Sequence, residues 1–453
     1  MNNYKLVFLK DIADSQTGPF GSQLHQSDYV SEGTPMVTVE HLGVERFTHQ
    51  NLPFVSDKDR DRLSKYILRE GDIVFSRVGS VDRCTYVTKE EDGWMFSGRC
   101  IRVRTNENAN GRYLNFYFRQ DFFKKMMLDI SVGATMPSLN TKLMDNIPLR
   151  LPNIQTQQKI AKVLSDLDAK IEINNCINSE LEAIAKTLYD YWFVQFDFPD
   201  ADCKPYKTSG GKMVWNAELK REIPEGWEVK TFSEWINNDK SGDWGKEQVE
   251  GNYTEKVYCI RGADINGLNG AGELKSPERY ILEKNLHKTL DPADLIVEIS
   301  GGSPTQSTGR LAFITEGTLE RFDAPIICSN FCKAVTLKNK KLLYNFVYHW
   351  KSIYDAGVLF GYEGKTSGIK NLLFDSFVSS HYTVIPDETL AEKFYDFMEP
   401  LQTKKQKNLK ENQELASLRD WLLPMLMNGQ VSVGEFEEEL RMVAEGTTKY
   451  GKE

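Results

Sequence analysis

Histidine and cysteine are scarce in this chain, and neither is grouped in a way that points to chemistry. The seven cysteines are odd in number and scattered, with only Cys328 and Cys332 close together. That pattern excludes a disulfide framework and paired zinc-knuckle spacing, and it fits buried thiols. The six histidines, His25, His41, His49, His287, His349 and His381, show no metal-ligand spacing, so no metal is expected. No apolar run approaches the roughly eighteen residues of a membrane span, and no charged-then-apolar leader opens the sequence. The expectation is a cytoplasmic protein with no membrane contact. Gly364-Lys365-Thr366 resembles the end of a phosphate-binding loop, but the glycine needed five positions earlier is replaced by Leu359. The nucleotide-binding reading fails there.

What is present is ordinary for a globular protein of two or three domains: 453 residues, 40% apolar and 27% charged. The net charge of −9 argues, as a sum, against a nucleic-acid partner. The distribution argues otherwise. From Arg99 to Arg150, nine basic residues stand against four acids, whereas Glu435, Glu437, Glu438 and Glu439 form an acidic block near the C-terminus, read as a solvated face or frayed helix. An acidic whole with basic patches also suits a subunit that borrows positive charge from a partner.

The strongest internal signal is duplication. From Pro152 and from Pro386, two stretches align without a gap: Lys159 with Lys393, Leu167 with Leu401, Asn174 with Asn408, Asn178 with Asn412, Leu188 with Leu422. Ahead of them, Leu6, Leu9 and Ile12 recur as Val229, Phe232 and Trp235, and Thr38 and Leu42 as Arg261 and Ile265, all at one offset. The order is globule, helix, globule, helix. Two copies of a recognition unit joined by rods imply a divided target.

Ile160, Leu164, Leu167, Ile171, Asn174, Asn178, Leu181, Ala185, Leu188 and Trp192 step by four and three, a heptad seam. In the second rod Phe394, Met398, Leu401, Leu415 and Leu422 keep the seam, while Lys405 and Arg419 interrupt it and must snorkel or face a partner. Asn174, Asn178, Asn408 and Asn412 all fall on the seam. Buried asparagines weaken a coiled coil but specify its register, so an antiparallel pairing of the rods with these amides adjacent is expected. The competing arrangement is two separate helices, each packed on its own globule.

The fold class expected is α/β (α+β): a globule at 1–151, a helical region at 152–196, a turn-rich linker at 197–222, a second globule at 223–385, a second helical region at 386–430 and an acidic tail at 431–453. Within the globules, Ile101 and Val103 alternate with Arg102 and Arg104 as in a half-buried strand, and Leu114 to Phe118 and Tyr344 to Tyr348 read as helices with an aromatic core face. Asp72 to Ser76 reads as a buried strand running into the polar loop Arg77-Val78-Gly79-Ser80, and Asp294 to Val297 runs likewise into Ser300-Gly301-Gly302-Ser303. Two later loops, Gly133 to Asn140 and Gly364 to Asn371, are again rich in glycine and hydroxyls. Such loops also serve as plain turns, but their repetition makes them candidates for close approach to phosphates. The candidate contacts to such a phosphate backbone are Ser76, Arg77, Gly79, Ser80, Thr135, Ser138 and Asn140 in the first globule. In the second they are Lys246, Arg261, Ser303, Lys365, Thr366 and Lys370, with Lys365 and Lys370 as the phosphate-neutralising charges.

Ser209 to Trp215, Ile223 to Trp227, Ser241-Gly242-Asp243-Trp244-Gly245-Lys246, and Leu418-Arg419-Asp420-Trp421-Leu422-Leu423-Pro424 through Asn428-Gly429-Gln430 resemble the specificity subunit of type I restriction-modification systems. The resemblance covers nearly the whole chain. It implies two target-recognition domains, each reading one half of a bipartite duplex DNA sequence. It also implies an antiparallel coiled coil that sets the spacer and docks two modification (methyltransferase) subunits, with ATP-dependent restriction subunits joining the larger complex. Catalysis is expected to reside in those partners, because there is no Asp/Asn-Pro-Pro-aromatic tetrapeptide, no glycine-rich cofactor loop and no helicase phosphate loop here. No cofactor and no catalytic residue are assigned. The alternatives are a coiled-coil scaffold that binds only proteins, a fused or free-standing DNA enzyme, and the target-reading subunit of a related methyltransferase-nuclease system.

Overall fold

The alternation that marks strands along the chain produces the same four-stranded sheet twice. In the first globule the strand order is Ala13–Thr17, Cys100–Thr105, Ile73–Ser76, Cys84–Tyr86; in the second it is Ile236–Ser241, Cys332–Leu337, Leu295–Glu298, Leu311–Phe313, all neighbours antiparallel. The computed structural model describes residues 4–434 apart from Ser22, Ala134, Ala271, Glu273, Pro304, Ser367 and Ser432, and gives only the backbone of Lys365 and Thr366. The Glu435–Glu439 block lies outside the described residues. The chain divides into two compact units, residues 1–169 with 415–453, and residues 170–414. Each therefore holds one globule with a section of both rods, a grouping that cuts across the six-part division read from the sequence.

In the first unit, Lys5–Phe8 pairs antiparallel with Pro148–Leu151 and so closes the globule on itself. The helix Gly111–Phe118 begins at Asn110, whose side-chain oxygen accepts the Tyr113 N–H at 2.9 Å, satisfying one of the donors left open at a helix start. Its residues Tyr113, Leu114, Phe116, Tyr117 and Phe118 are all buried. Phe118 packs edge-on to Phe75 of the central strand at 5.2 Å and lies 4.5 Å from Phe123. Burying each such ring contributes about 1.5–3 kcal/mol. Ile160 and Leu164 of the first rod and Leu422 and Leu426 of the second belong to the same core, so the rods here pack on each other and on the globule.

The second unit repeats the scheme with Glu228–Thr231 against Tyr382–Ile385 and the helix Leu343–Asp355 over the sheet. Phe346 and Trp350 stack at 5.7 Å, with Phe232 and Phe377 around them. The stretch 197–222, expected as a linker, is folded. Its Met213–Asn216 and Arg221–Pro224 form a hairpin, and the Asp197 carboxylate accepts from the Thr208 N–H at 2.8 Å and hydroxyl at 2.6 Å. Phe198 stacks on both Tyr206 and Trp227, at 4.6 and 5.2 Å. Turn residues signalled a loop, but aromatics spaced between them supply enough apolar contact to fix it.

The rods are the helices Ile154–Tyr189 and Glu388–Met427, and they pair antiparallel. Within residues 170–414, Asn174 donates to Asn412 at 2.9 Å, Asn408 donates to Asn178 at 2.9 Å, and Asn412 donates to Asn175 at 2.9 Å. The register amides thus face their counterparts, and the competing arrangement of two unpaired helices does not occur. The first rod ends in a π-helical turn, Asp190–Val194, where Tyr189, Trp192 and Phe193 all meet Phe394 of the second rod.

Candidate nucleic-acid interface

In each globule, the two glycine- and hydroxyl-rich loops lie far apart in sequence yet zip together beyond the end of the central strand. In the first, Val78 bridges Ser138, the Gly79 N–H donates to the Pro137 carbonyl at 2.9 Å, and the Leu139 N–H to the Arg77 carbonyl at 2.9 Å. Gly79 takes a φ of +81°, a left-handed conformation that favours glycine. Gly79, Ser80 and Thr135 are exposed at this edge. Ser138 donates its hydroxyl to the Val132 carbonyl at 3.1 Å, and the Asn140 side-chain oxygen caps the next helix by accepting the Leu143 N–H at 2.9 Å. Ser76 must be removed from the candidates: it is 0% exposed, with its hydroxyl donated to the Val78 carbonyl at 3.0 Å.

Arg77 reaches the wall of a cleft of about 810 Å³ that it shares with Phe20, Arg83 and Arg99. Its guanidinium donates to the Gly98 carbonyl at 2.8 Å and lies over the Phe20 ring, 5.3 Å from its centre. It is fixed in place, and among the described residues no carboxylate pairs with it. Arg83 and Arg99 are exposed, and neither has an ion pair among the described residues.

The second globule joins its loops into a three-stranded sheet of Ser300–Gly301, Ile369–Leu372 and Glu363–Thr366. Lys365 pairs with Lys370 in its register, Ser300 donates to Asn371 at 2.6 Å, and the Ser303 hydroxyl accepts the Gln306 N–H at 3.1 Å. Two expected DNA contacts are corrected here. Lys370 is 15% exposed and ion-paired with Glu363 at 3.2 Å, and Arg261 grips Asp264 through two bonds of 2.9 and 3.1 Å while donating to the Lys275 carbonyl at 2.7 Å. Both charges are compensated inside the fold. Lys246 remains at the surface beside Glu250, 3.4 Å away.

The basic excess between Arg99 and Arg150 is likewise largely neutralised. Arg102 meets Asp14 at 2.7 Å, Arg104 meets Asp72 at 2.6 Å, Arg112 meets Asp168 at 3.5 Å and Arg119 meets Glu45 at 3.2 Å. Arg102 is also buried, against the expected exposed face of that strand. Its partners come from segments remote in sequence, which a window count cannot anticipate.

The charges that interrupt the second rod have found partners on the first. Lys405, 2% exposed, is bonded to Glu182, which Lys351 also meets at 2.8 Å. Burial works to raise the Glu182 pKa, but the two lysines overcome it and hold the carboxyl down to about 2. Burial lowers the Lys405 pKa, opposed by Glu182. In the first unit Arg419 bonds Asp168 at 2.8 Å, Asp420 at 3.0 Å and Glu45. Burial acts to lower its pKa, and these carboxylates turn the net shift upward.

A turn pair missed by the sequence reading recurs in both globules. Gly18-Pro19-Phe20-Gly21 sits on Ser97-Gly98-Arg99-Cys100, and Gly242-Asp243-Trp244-Gly245 sits on Ser329-Asn330-Phe331-Cys332. A Cβ at Gly18 would lie 2.2 Å from the Ser97 carbonyl oxygen, and one at Gly242 would lie 2.0 Å from that of Ser329. In both lower turns the cysteine N–H donates to the serine carbonyl at 2.9 Å. The upper turns expose Phe20 and Trp244 at 51% and 38%, each with an arginine over the ring, Arg77 at 5.3 Å and Arg279 at 4.9 Å. The signal was the Ser-x-x-Cys spacing, which lies off the single offset that aligned the rest. His49, Glu90 and Glu91 also converge, within 4.8 Å, which sequence spacing did not show. Glu91 is already engaged there by His49 at 2.8 Å and by the Thr88 hydroxyl at 2.7 Å.

Residues 1–183 match the family model described as the type I restriction modification DNA specificity domain. The type I restriction enzyme MjaIX specificity subunit of Methanocaldococcus jannaschii is 26% identical over 334 residues, 71% of this chain and 69% of that one. The HindI specificity subunit of Haemophilus influenzae is 30% identical over 180 residues, 38% of each chain. In fold, the chain is similar to the crystal structure of a type I restriction-modification S subunit from M. genitalium, with a TM-score of 0.58 at 14% identity over 94% of this chain and 96% of the other. No described helix is long and apolar enough to cross a membrane.

Proposed function

We propose that the chain is a specificity subunit of a type I restriction-modification system, and that each globule reads one half of a bipartite duplex DNA target. The observation that carries the reading is the repeated loop edge: two globules with one strand order each present paired glycine and hydroxyl loops at the same end of the same sheet. Small residues there admit a DNA backbone closely, while exposed arginines supply sequence-independent attraction. The paired rods set the unread spacer and dock two modification subunits, which restriction subunits join. This chain contributes recognition and no catalysis. Arg77, Gly79, Ser80, Thr135 and Ser138, with Lys246, Ser303, Lys365 and Thr366, line the proposed DNA edge.

The test is methylation by the purified chain mixed with its modification subunit, followed by methylome sequencing of a strain that carries both. Methylation only in the mixture, at two short half-sites separated by an unread spacer, is the expected result. Methyl transfer by the isolated chain, or a single contiguous motif, would overturn the assignment.

A further inference from the structure

In a duplicated reader, residues common to both copies build the frame, and residues that differ at equivalent exposed positions carry the difference in what is read. The turn pair makes that comparison possible without any second sequence. Each copy has a glycine seated on a serine carbonyl, an exposed ring with an arginine over it, and a Ser-x-x-Cys turn closed by the same backbone bond. Between the serine and the cysteine the copies diverge completely: Gly98-Arg99 in the first, Asn330-Phe331 in the second. Arg99, Asn330 and Phe331 are exposed. Arg99 opens into the cleft that also holds Arg77 and Arg83, and Phe331 is 51% exposed although its backbone carbonyl is held by the N–H groups of Ile299 and Ser300 at 2.9 and 3.1 Å. A rigid backbone with an unpaired side chain at its tip is what base reading requires.

We propose that Arg99 in the first Ser-x-x-Cys turn and Asn330 and Phe331 in the second are specificity-determining contacts to base edges in the major groove, and that Phe20 and Trp244 with their arginines brace those turns. This rests on the DNA-reading function proposed above. The chemistry differs between the copies. A guanidinium pairs in bidentate fashion with guanine O6 and N7, an asparagine amide with adenine N6 and N7, and a phenyl ring packs on the thymine methyl. The first half-site therefore contains a guanine read by Arg99, and the second an adenine or thymine read by Asn330 and Phe331.

The experiment uses the complex with the modification subunit, on duplexes built from the methylome motif of the wild-type strain. Arg99→Ala should relax one G·C position of the first half-site, with discrimination there falling roughly five- to a hundredfold, and should leave the second half-site unchanged. Phe331→Ala should do the reverse. Arg99→Lys keeps the charge but not the fork, so it should relax the same position while keeping the salt dependence. Uniform weakening across all sequences with an unchanged motif would make Arg99 a phosphate contact and overturn the proposal, as would unaltered methylation by both variants. Absence of a bipartite motif with the wild-type chain would instead defeat the underlying DNA-reading function.

Discussion

Where the central strand of the first sheet ends, Ser76 is followed by Arg77, which has no carboxylate partner among the described residues, at a cleft beside Arg83 and Arg99; where its counterpart in the second sheet ends, Glu298 is clamped to Arg310 by bonds of 2.8 and 2.7 Å and followed by Ile299. The second edge then presents Trp244, Phe331 and Phe360 as exposed rings, and its nearby lysine, Lys370, is tied to Glu363. One frame thus carries exposed arginines without ion pairs at the edge of one copy and, among the described residues, exposed rings with ion-paired lysines at the edge of the other. The frame is set by buried strands and glycine seats, so the edge can change its chemistry at little cost to the fold.

The rods show the same division of labour in their ion pairs, and breaking them gives the largest effect. Glu182→Ala leaves Lys405 buried with no carboxylate bonded to it, and should destabilise residues 170–414 by about 3–5 kcal/mol. Asp168→Ala in the first unit leaves Arg419 with Glu45 and Asp420 but takes the carboxylate from Arg112, and should cost less, about 1–3 kcal/mol. Hydrogen exchange of peptides from the two rods, read separately, measures both. Equal losses would mean that the two pairings are energetically alike.

Acid should separate the two globules next. Arg119, at the end of the first aromatic helix, matches His349 in the second, but Arg119 is ion-paired with Glu45, while the half-buried His349 keeps a buried Nε2 with no partner among the described residues. Burial first, then the charges of His381 and Arg221, hold the His349 pKa down to about 3 from 6.5. A base whose pKa is lowered on folding contributes fully above its unfolded pKa, and that contribution fades as pH falls from 6.5 toward 3, by about 1.4 kcal/mol per pH unit. Glu182, held at about 2, adds a further loss below about 4.5. The helix Leu343–Asp355 should therefore open to exchange before Gly111–Phe118 as pH falls from 6.5 to 4.5, and His349→Phe should abolish the difference. If the two helices open together in the unaltered chain, His349 is not held neutral.

Much of this was legible in the sequence and some of it was not, for physical reasons that differ. The duplication, the antiparallel rods and the four seam asparagines follow from heptad spacing, because register is a local property of a helix. The pairing of Arg77-Val78-Gly79-Ser80 with the loop around Ser138 was beyond reach, because it depends on which strands neighbour one another. Arg102, Arg261 and Lys370 looked available as charges, yet each meets a carboxylate brought by the fold. Lys405 and Arg419 looked like defects in the seam, and Glu182 and Asp168 on the facing helix make them part of it. Arg99 and Phe331 went unnoticed because their turn falls off the constant offset, although Ser-x-x-Cys is written plainly in both copies.

The smallest effect tests the cationic edge directly. Arg77→Ala removes a charge with no carboxylate partner among the described residues, so the slope of log affinity against log salt for duplex DNA should fall by about one, and the loss should be alike for cognate and unrelated sequences. Over a fourfold change in salt this amounts to a change of only about three- to fourfold in affinity. Lys370→Gln combined with Glu363→Gln removes a pair of zero net charge from the other edge, and the slope should not move. Filter-binding titrations of the complex with its modification subunit at several salt concentrations give both slopes. An unchanged slope for Arg77→Ala would take that arginine away from the DNA. A reduced slope for the double variant would show that the Lys370–Glu363 pair opens on binding, and the two edges would then differ less in charge than their folded contacts indicate.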